Sequence, residues 1–444
     1  MVKHSMIVVL VAIALVATAC APFVSTSGEG AIQIYFGTPT GARALSDPPF
    51  SELPVFSAIT IKVSGPGMDP VEFTVDATQT SFSAMVPGGS NRTVELYAPV
   101  DWDATYDRLF ALYPTNMPAL PTLVKAYGAT TTLNVVPGQS VTAVLRLEVA
   151  ETKILLPDAY YSSYLHVADG LHPVAAPMTT GLYSYSNSDY EFDRYGRLLY
   201  STGTVHRAQN ENDSAPGSLV LSGDSLAFDS ASNILYAWYD GDGTSLNGYD
   251  YGSESPVQYQ VNDPSGYVFG IGSVAVDTRG YLYVPLYQNS SGSTGIGKIS
   301  VGAPSGGYAD TQVLAYQPLA AFGLEDPLEI RDMTVKDGRL YVLAGENVGY
   351  GVPHHGKLVE IDLSSLQKLR ELGWTSADYP TNPATQFYGP QRFIALAPRK
   401  LIIADEGSNG STDVDRVVEV DLSDWQIRDI GLDGEVTFFN SYAC

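Results

Sequence analysis

The 444-residue chain is poor in cysteine, in cationic side chains and in long apolar runs, and each shortage closes a class of protein. Only Cys20 and Cys444 are present. No disulfide framework staples the fold, so stability must come from a buried core, which a chain of this length supplies. Lys and Arg number 24 against 48 Asp and Glu, a formal net charge of −24. Such a surface argues against nucleic acid and against docking on an anionic leaflet through a basic patch. No segment beyond the N-terminus approaches the roughly 18 uncharged apolar residues of a membrane-spanning helix. Signatures of common chemistry are missing too: there is no His-Glu-x-x-His, Gly-x-Ser-x-Gly, Walker loop, Gly-x-Gly-x-x-Gly opening a helix, or Cys-x-x-Cys. His354 and His355 form the only histidine pair. Adjacent residues of an extended loop point to opposite faces, so the pair reads as solvated rather than as joint metal ligands.

What is present begins at the N-terminus. Lys3 and His4 precede an uncharged apolar run over residues 6–16, then Ala17, Thr18 and Ala19 lead into Cys20. The run is too short to span a bilayer and fits a cleavable export signal over residues 1–19. Small residues directly before a cysteine resemble the lipobox of bacterial lipoproteins, although Ala17 stands where leucine is usual. The resemblance implies that Cys20 becomes an acylated, palmitate-bearing N-terminus and that the lipid bilayer is a partner. An ordinary secretory signal that happens to contain a cysteine is the other reading. Ala21 rather than Asp follows Cys20, which by the same analogy favours the outer over the inner membrane of a cell envelope. Cys444 reads as an inconsequential terminal residue or, alternatively, as an intermolecular bridge or reactive thiol.

The remainder is rich in Tyr (29), Gly (42) and Pro (28), a composition of turn-rich β-structure. Residues 20–29 are small and polar and read as a tether. Within residues 30–150, alternating segments at 31–36, 58–63, 71–75, 81–86, 93–97 and 141–147 are separated by Ser64-Gly65-Pro66-Gly67, Pro87-Gly88-Gly89-Ser90-Asn91 and Pro137-Gly138. Short strands without a helical period predict a β-sandwich. The order of strands and turns is similar to Ig-like or transthyretin-like modules at the front of bacterial surface lipoproteins.

Residues 151–444 form a repeat array. Five segments, 190–200, 226–236, 274–284, 333–342 and 394–403, share one template: an apolar strand, a turn with Asp or Gly, and a strand containing Leu-Tyr or its equivalent. The anchors Asp193, Asp229, Asp277, Lys336 and Ala397 are 36, 48, 59 and 61 residues apart, a propeller period. Asp at the turn offers an acceptor for backbone N–H groups, and Gly tolerates positive φ. Third strands follow at 297–301, 356–362 and 416–421. These units, above all Val274-Ala275-Val276-Asp277 and its Leu282-Tyr283-Val284, resemble NHL-type six-bladed β-propellers. The expected fold is therefore all-β: an N-terminal β-sandwich followed by a β-propeller of six blades, with five or seven left open. The sixth blade is expected to combine residues 153–185 with the C-terminal 436–439, since an unclosed ring leaves edges unpaired.

In such a propeller the loops leaving each second strand and those entering each first strand share one face, where family members place ligands or catalytic residues. The resemblance puts there Asp240, Asp242, Tyr287, Gln288, Asn289, Glu346, Asn347, Asp405 and Glu406, with Arg331, Asp332, Gln391 and Arg392 on the entering side. This polar, aromatic and acidic mixture suits a carbohydrate, a peptide or a cation. Alternate carboxylates in the Asp240 loop can supply some of the six to eight oxygens of Ca²⁺, but the loop lacks the sixth-place Gly and terminal Glu of an EF-hand, and a solvated turn competes. Three functions remain: a noncatalytic envelope lipoprotein with a binding platform for a protein, carbohydrate or peptide and no cofactor; a Ca²⁺-dependent hydrolase or lactonase, as some six-bladed relatives are, using Glu346, Asn347, Asp405 and Glu406; and an assembly scaffold.

Overall fold

A computed structural model describes residues 28–36, 54–76, 79, 81–112, 124–145, 147–152, 154–157, 164–168, 178–183, 189–193, 197–201, 203–208, 217–229, 232–239, 245–251, 253–261, 266–270, 272–303, 308–324, 328–346, 356–374, 386–397, 400–408 and 413–429. The fold is all-β apart from one α-helix and a short 3-10 turn among these residues. No helix among them is long and apolar enough to cross a membrane. Two compact units share the chain: Met1–Ala42, Ala58–Leu96 and Thr130–Arg146 in one, Arg43–Ser57, Tyr97–Ala129 and Leu147–Cys444 in the other.

In the first unit Glu29–Phe36 lies between Ser81–Pro87, antiparallel to it, and Ser140–Leu145, parallel to it. Also in this unit, Val71–Val75 pairs antiparallel with Ile59–Ser64, whose other neighbour is the segment 89–96 of Gly89–Pro99. Alternation buries one face of each strand, with Ile32, Ile34, Ile61, Val63 and Val94 fully covered. Two of the predicted turns meet on one buried side chain. The Arg92 guanidinium donates to the carbonyls of Pro66 at 2.6 Å, Pro87 at 3.1 Å and Gly88 at 2.6 Å. Gly89, Ser90 and Asn91, expected in a turn, instead open the strand Gly89–Pro99, because the chain passes between sheets at Gly88 and Asn91, at φ 55°, is held by the Asn134 amide oxygen on its N–H.

The helix α1, Trp102–Leu112, falls where no helical period was expected. Its start is set by Asp101, whose carboxylate accepts from the Ala104 N–H at 2.9 Å, the interaction of an N-cap. Tyr106 and Phe110 on this helix are half exposed, so no apolar stripe announces it.

Among its described residues the second unit carries five blades and one further three-stranded sheet. The five repeats each form a four-stranded antiparallel blade, one strand more than the template showed. Blade 1 comprises Tyr190–Phe192, Leu198–Ser201, Gly203–Ala208 and Gly217–Gly223; blade 2 Ser225–Asp229, Ile234–Tyr239, Ser245–Asp250 and Ser255–Val261. Blade 3 has a first strand in two pieces, Tyr267–Phe269 and Ala275–Val276, then Leu282–Gln288, Ser293–Val301 and Tyr308–Pro318. Blade 4 is Leu328–Lys336, Arg339–Glu346, Gly356–Asp362 and Lys368–Trp374; blade 5 is Pro390–Ala397, Lys400–Ser408, Asp413–Asp421 and Gln426–Asp429. The sixth sheet holds Ile154–Pro157, Tyr164–Ala168 and Met178–Tyr183. Its expected C-terminal strand at 436–439 lies outside the described residues.

First strands of consecutive blades lie against one another from blade 1 to blade 5, and that of blade 5 lies against Ile154–Pro157, as the inner ring of a propeller requires. The apolar core fills the spaces between blades. Tyr283 and Ile296 of blade 3 pack on Leu340, Val342 and Val359 of blade 4. Tyr341 and Leu343 of blade 4 pack on Leu401 and Val418 of blade 5. Blades 2 and 3 are joined at the rim as well, where Ser255–Val261 pairs in parallel with Tyr308–Pro318.

The turn chemistry read from the repeats is present. Asp277 accepts the N–H groups of Arg279 and Tyr281 at 2.9 Å each and the Tyr283 hydroxyl at 3.1 Å. Asp193 accepts the Arg197 N–H at 3.0 Å and its Nε at 2.6 Å. Gly280 and Gly338 take the left-handed conformation with φ 80° and 72°. The equivalent turn of blade 5 includes 398–399, outside the described residues.

Candidate functional site

A polar residue stands just before or within the first strand of each of blades 1 to 4, Asp189, Ser225, Ser273 and Asp332, and these residues form a chain around the propeller axis. Asp189 Oδ2 accepts the Leu226 N–H of blade 2 at 2.7 Å, and Ser225 Oγ accepts the Val274 N–H of blade 3 at 3.3 Å. Ser273 Oγ accepts the Met333 N–H of blade 4 at 3.3 Å, and Asp332 Oδ2 accepts the Phe393 N–H of blade 5 at 2.8 Å. One offset thus repeats four times, each side chain holding the backbone of the next blade. The side chains also touch each other: Ser225 Oγ and Ser273 Oγ are 2.7 Å apart, and Ser273 donates to Asp332 Oδ1 at 2.9 Å. Ser225 also bonds Asp189.

All four are buried. Burial raises the Asp189 carboxyl above its ordinary range against the opposing Arg392 charge. Burial, then the like charge of Asp189, pushes Asp332 up to about 7, again opposed by Arg392. Proton counting leads to the same place. Three side-chain contacts link Asp189, Ser225, Ser273 and Asp332, while the two hydroxyls bring only two protons. A complete chain needs one carboxyl proton, so the acid pair holds one between them.

The predicted site residues are distributed along the loop face and only partly assembled. The registers Tyr267 with Gln288, Leu328 with Glu346, and Pro390 with Asp405 put the entering and leaving segments of blades 3, 4 and 5 at one end of their sheets. Tyr287 is half exposed and Asn289 exposed at the tip of blade 3, where the Asn289 N–H bonds the Gly266 carbonyl at 3.2 Å. Glu346 ends the second strand of blade 4 and is buried. Arg392 is brought to the axis, where its charge acts on both acids. Arg331 sits at a bulge next to Asp332.

Asp405 is fully buried and already engaged. Its carboxylate accepts the N–H groups of Tyr388 at 3.0 Å and Gly389 at 2.9 Å and pairs with Arg416 Nε at 2.8 Å. Arg416 continues to the Gln386 carbonyl at 2.7 Å and stacks on Tyr388 at 4.4 Å. The arrangement pins the loop entering blade 5. Burial raises the Asp405 carboxyl in spite of Arg416 and those N–H donors. Of Glu406 only the backbone is described, paired with Asp415. Asp240, Asp242, Asn347 and Cys20 lie outside the described residues, as do His354, His355 and Cys444. Among the described residues, no group of three or more His, Cys, Asp or Glu is placed to hold a metal ion.

The sequence reading missed Asp189, Ser225 and Ser273. Their signal is positional: each stands one residue before the apolar start of a repeat, as Asp332 does.

Neither a protein family nor a curated protein matches the chain. Among solved structures it is similar to a protein of unknown function from Bacteroides thetaiotaomicron, with 9% identity over 85% of this chain and 80% of that chain and a TM-score of 0.38. It is similar to the Dos1 propeller, with 12% identity over 62% and 63% and a TM-score of 0.31. A thermostable family-43 glycoside hydrolase matches with 13% identity over 59% and 96% and a TM-score of 0.34. These values carry no argument about activity; the propeller rests on the sheets described above.

Proposed function

We propose that the chain is a noncatalytic envelope protein, anchored through an acylated Cys20, whose propeller is a rigid platform for binding a partner. One observation carries the reading: the polar groups around the propeller axis are spent on holding blades together. Asp189, Ser225, Ser273 and Asp332 each receive the backbone of the next blade. Asp405, one of the acids of the alternative metal-dependent site, has its carboxylate filled by two N–H groups and Arg416. A catalytic carboxylate needs an open face toward substrate or metal. These side chains instead stiffen a scaffold.

The test has two arms. Palmitate incorporation in a bacterial host is expected for the native chain and absent for Cys20→Ala, which stays soluble after export. Thermal melts with EDTA and with added Ca²⁺ are expected to coincide, while the purified chain retains a discrete partner from envelope extract. A melt raised by Ca²⁺ together with hydrolysis of lactone or glycoside substrates overturns the platform in favour of an enzyme.

A further inference from the structure

We propose that Arg331 anchors an oxyanion-binding site on the loop face of the propeller, taking the carboxylate or phosphate group of a small ligand. The proposal deepens the platform reading and rests on it.

Arg331 is the extra residue of a β-bulge. Ile330 faces Ala344 and Asp332 faces Leu343, so Arg331 has no register partner of its own. A bulge on an inner strand re-aims the side chain it carries. Here it leaves the side chain 22% exposed, with Nε covered and without a hydrogen-bond partner among the described residues. The nearest acid is Glu329, itself half exposed, at 3.9 Å from a terminal nitrogen, beyond hydrogen-bonding distance. Burial draws the guanidinium below its ordinary value, and Glu329 only partly offsets this.

Three other arginines sunk into this protein set a comparison, each with side-chain hydrogen bonds of its own. Arg197 meets Asp193 through Nε at 2.6 Å, Arg416 meets Asp405 at 2.8 Å, and Arg92 donates to three carbonyls. A covered guanidinium Nε without an acceptor is costly, because that donor has lost water and gained nothing. Acid is not in short supply, with 48 Asp and Glu in the chain. Gly345 stands opposite, and a Cβ there would lie 3.4 Å from Arg331 Cγ and 3.2 Å from the Pro390 carbonyl oxygen. A planar donor fork sunk below the surface fits a carboxylate or phosphate that enters from solvent, completing bonds the protein leaves open.

The experiment uses the full mature chain, titrated with inorganic phosphate and, separately, with citrate, each against sodium chloride of equal ionic strength. Isothermal titration and thermal melts are expected to show saturable binding of at least one of the two, and the responding arm identifies phosphate or carboxylate as the preferred group. Arg331→Gln should weaken that binding about tenfold or more, a difference of about 1.4 kcal/mol, whereas Arg339→Gln should not. Because Arg331→Gln alters a partly buried site, phenylglyoxal modification of the native chain is mapped in parallel; the bound anion should protect Arg331 selectively. The inference fails if neither anion exceeds chloride, or if Arg331→Gln binds as the native chain does, or if Arg331 is not protected. If the anion arms fail while an envelope partner is still retained, the platform stands without this site; if both fail, so does the platform.

Discussion

Replacing Asp332 by Asn tests the axial chain directly. The folded-state value of Asp332 is raised to about 7 by burial and by Asp189, while an unfolded Asp titrates near 3.9. Between those values the native state holds a proton that the unfolded state has released, so stability falls as pH rises and levels off above about 7. At about 1.36 kcal/mol per unit, the loss from pH 5 to pH 8 is about 2.5 kcal/mol. Asp189, raised in the same direction, adds to the slope. In Asp332→Asn the amide oxygen can take the Phe393 N–H while the amide NH₂ donates to Ser273 Oγ. Ser273 then donates to Ser225 and Ser225 to Asp189, so the side-chain relay is filled without a titrating proton, although the amide NH₂ cannot accept the Met333 N–H that Asp332 Oδ1 takes at 2.8 Å. The variant should therefore fall less steeply from pH 5 to pH 8 than the native chain, keeping only the part that Asp189 contributes. Urea unfolding followed by tryptophan fluorescence reports this unit alone, since Trp102, Trp238, Trp374 and Trp425 all fall within it. Groups whose values are depressed by hydrogen bonds, such as Asp362 at about 2, lose their contribution only at more acid pH and leave the window clear. Equal slopes for the native chain and Asp332→Asn, or native stability that rises from pH 5 to pH 8, would refute the shared proton.

Three further outcomes follow from packing. Arg416→Ala leaves Asp405 charged and buried without its cation, and should cost about 3 to 5 kcal/mol, read as a lower urea midpoint of the fluorescence transition. Gly280→Ala places a side chain on backbone at φ 80°, 3.1 Å from Asp229 Oδ2, and should cost about 1 to 2 kcal/mol in the same assay. Arg92→Lys keeps the charge but cannot reach the Pro66, Pro87 and Gly88 carbonyls together, and each acceptor left dry costs about 1 to 3 kcal/mol. Faster amide hydrogen exchange around residues 65–68 and 87–92 is the expected sign, and unchanged protection there contradicts the clasp.

These sites show why the repeats were legible while the residues joining them were not. A hairpin is written locally: Asp277, Gly280 and Leu282-Tyr283 lie within seven residues, and the hydrogen bonds that justify them close inside that span. The outer strand Gly217–Gly223 is half exposed, and its short Leu219-Val220-Leu221 centre is flanked on both sides by serine and glycine, so its pattern resembles the neighbouring loops. The axial residues are harder still. Ser273 has partners 48 and 59 residues away, and a polar residue beside an apolar run reads as solvated until the ring closes over it. Asp405 is the opposite case. It was legible as an acid at a strand end on the loop face, yet the register that sets it opposite Pro390 turns it inward onto Arg416. Position in a repeat identifies which end of a blade a residue occupies; only the partner contributed by the following segment decides whether it faces a ligand or the next blade. By that criterion Arg331 differs from Asp405, for its blade supplies the bend that carries it to the loop face, and among the described residues no neighbouring segment supplies the acceptor.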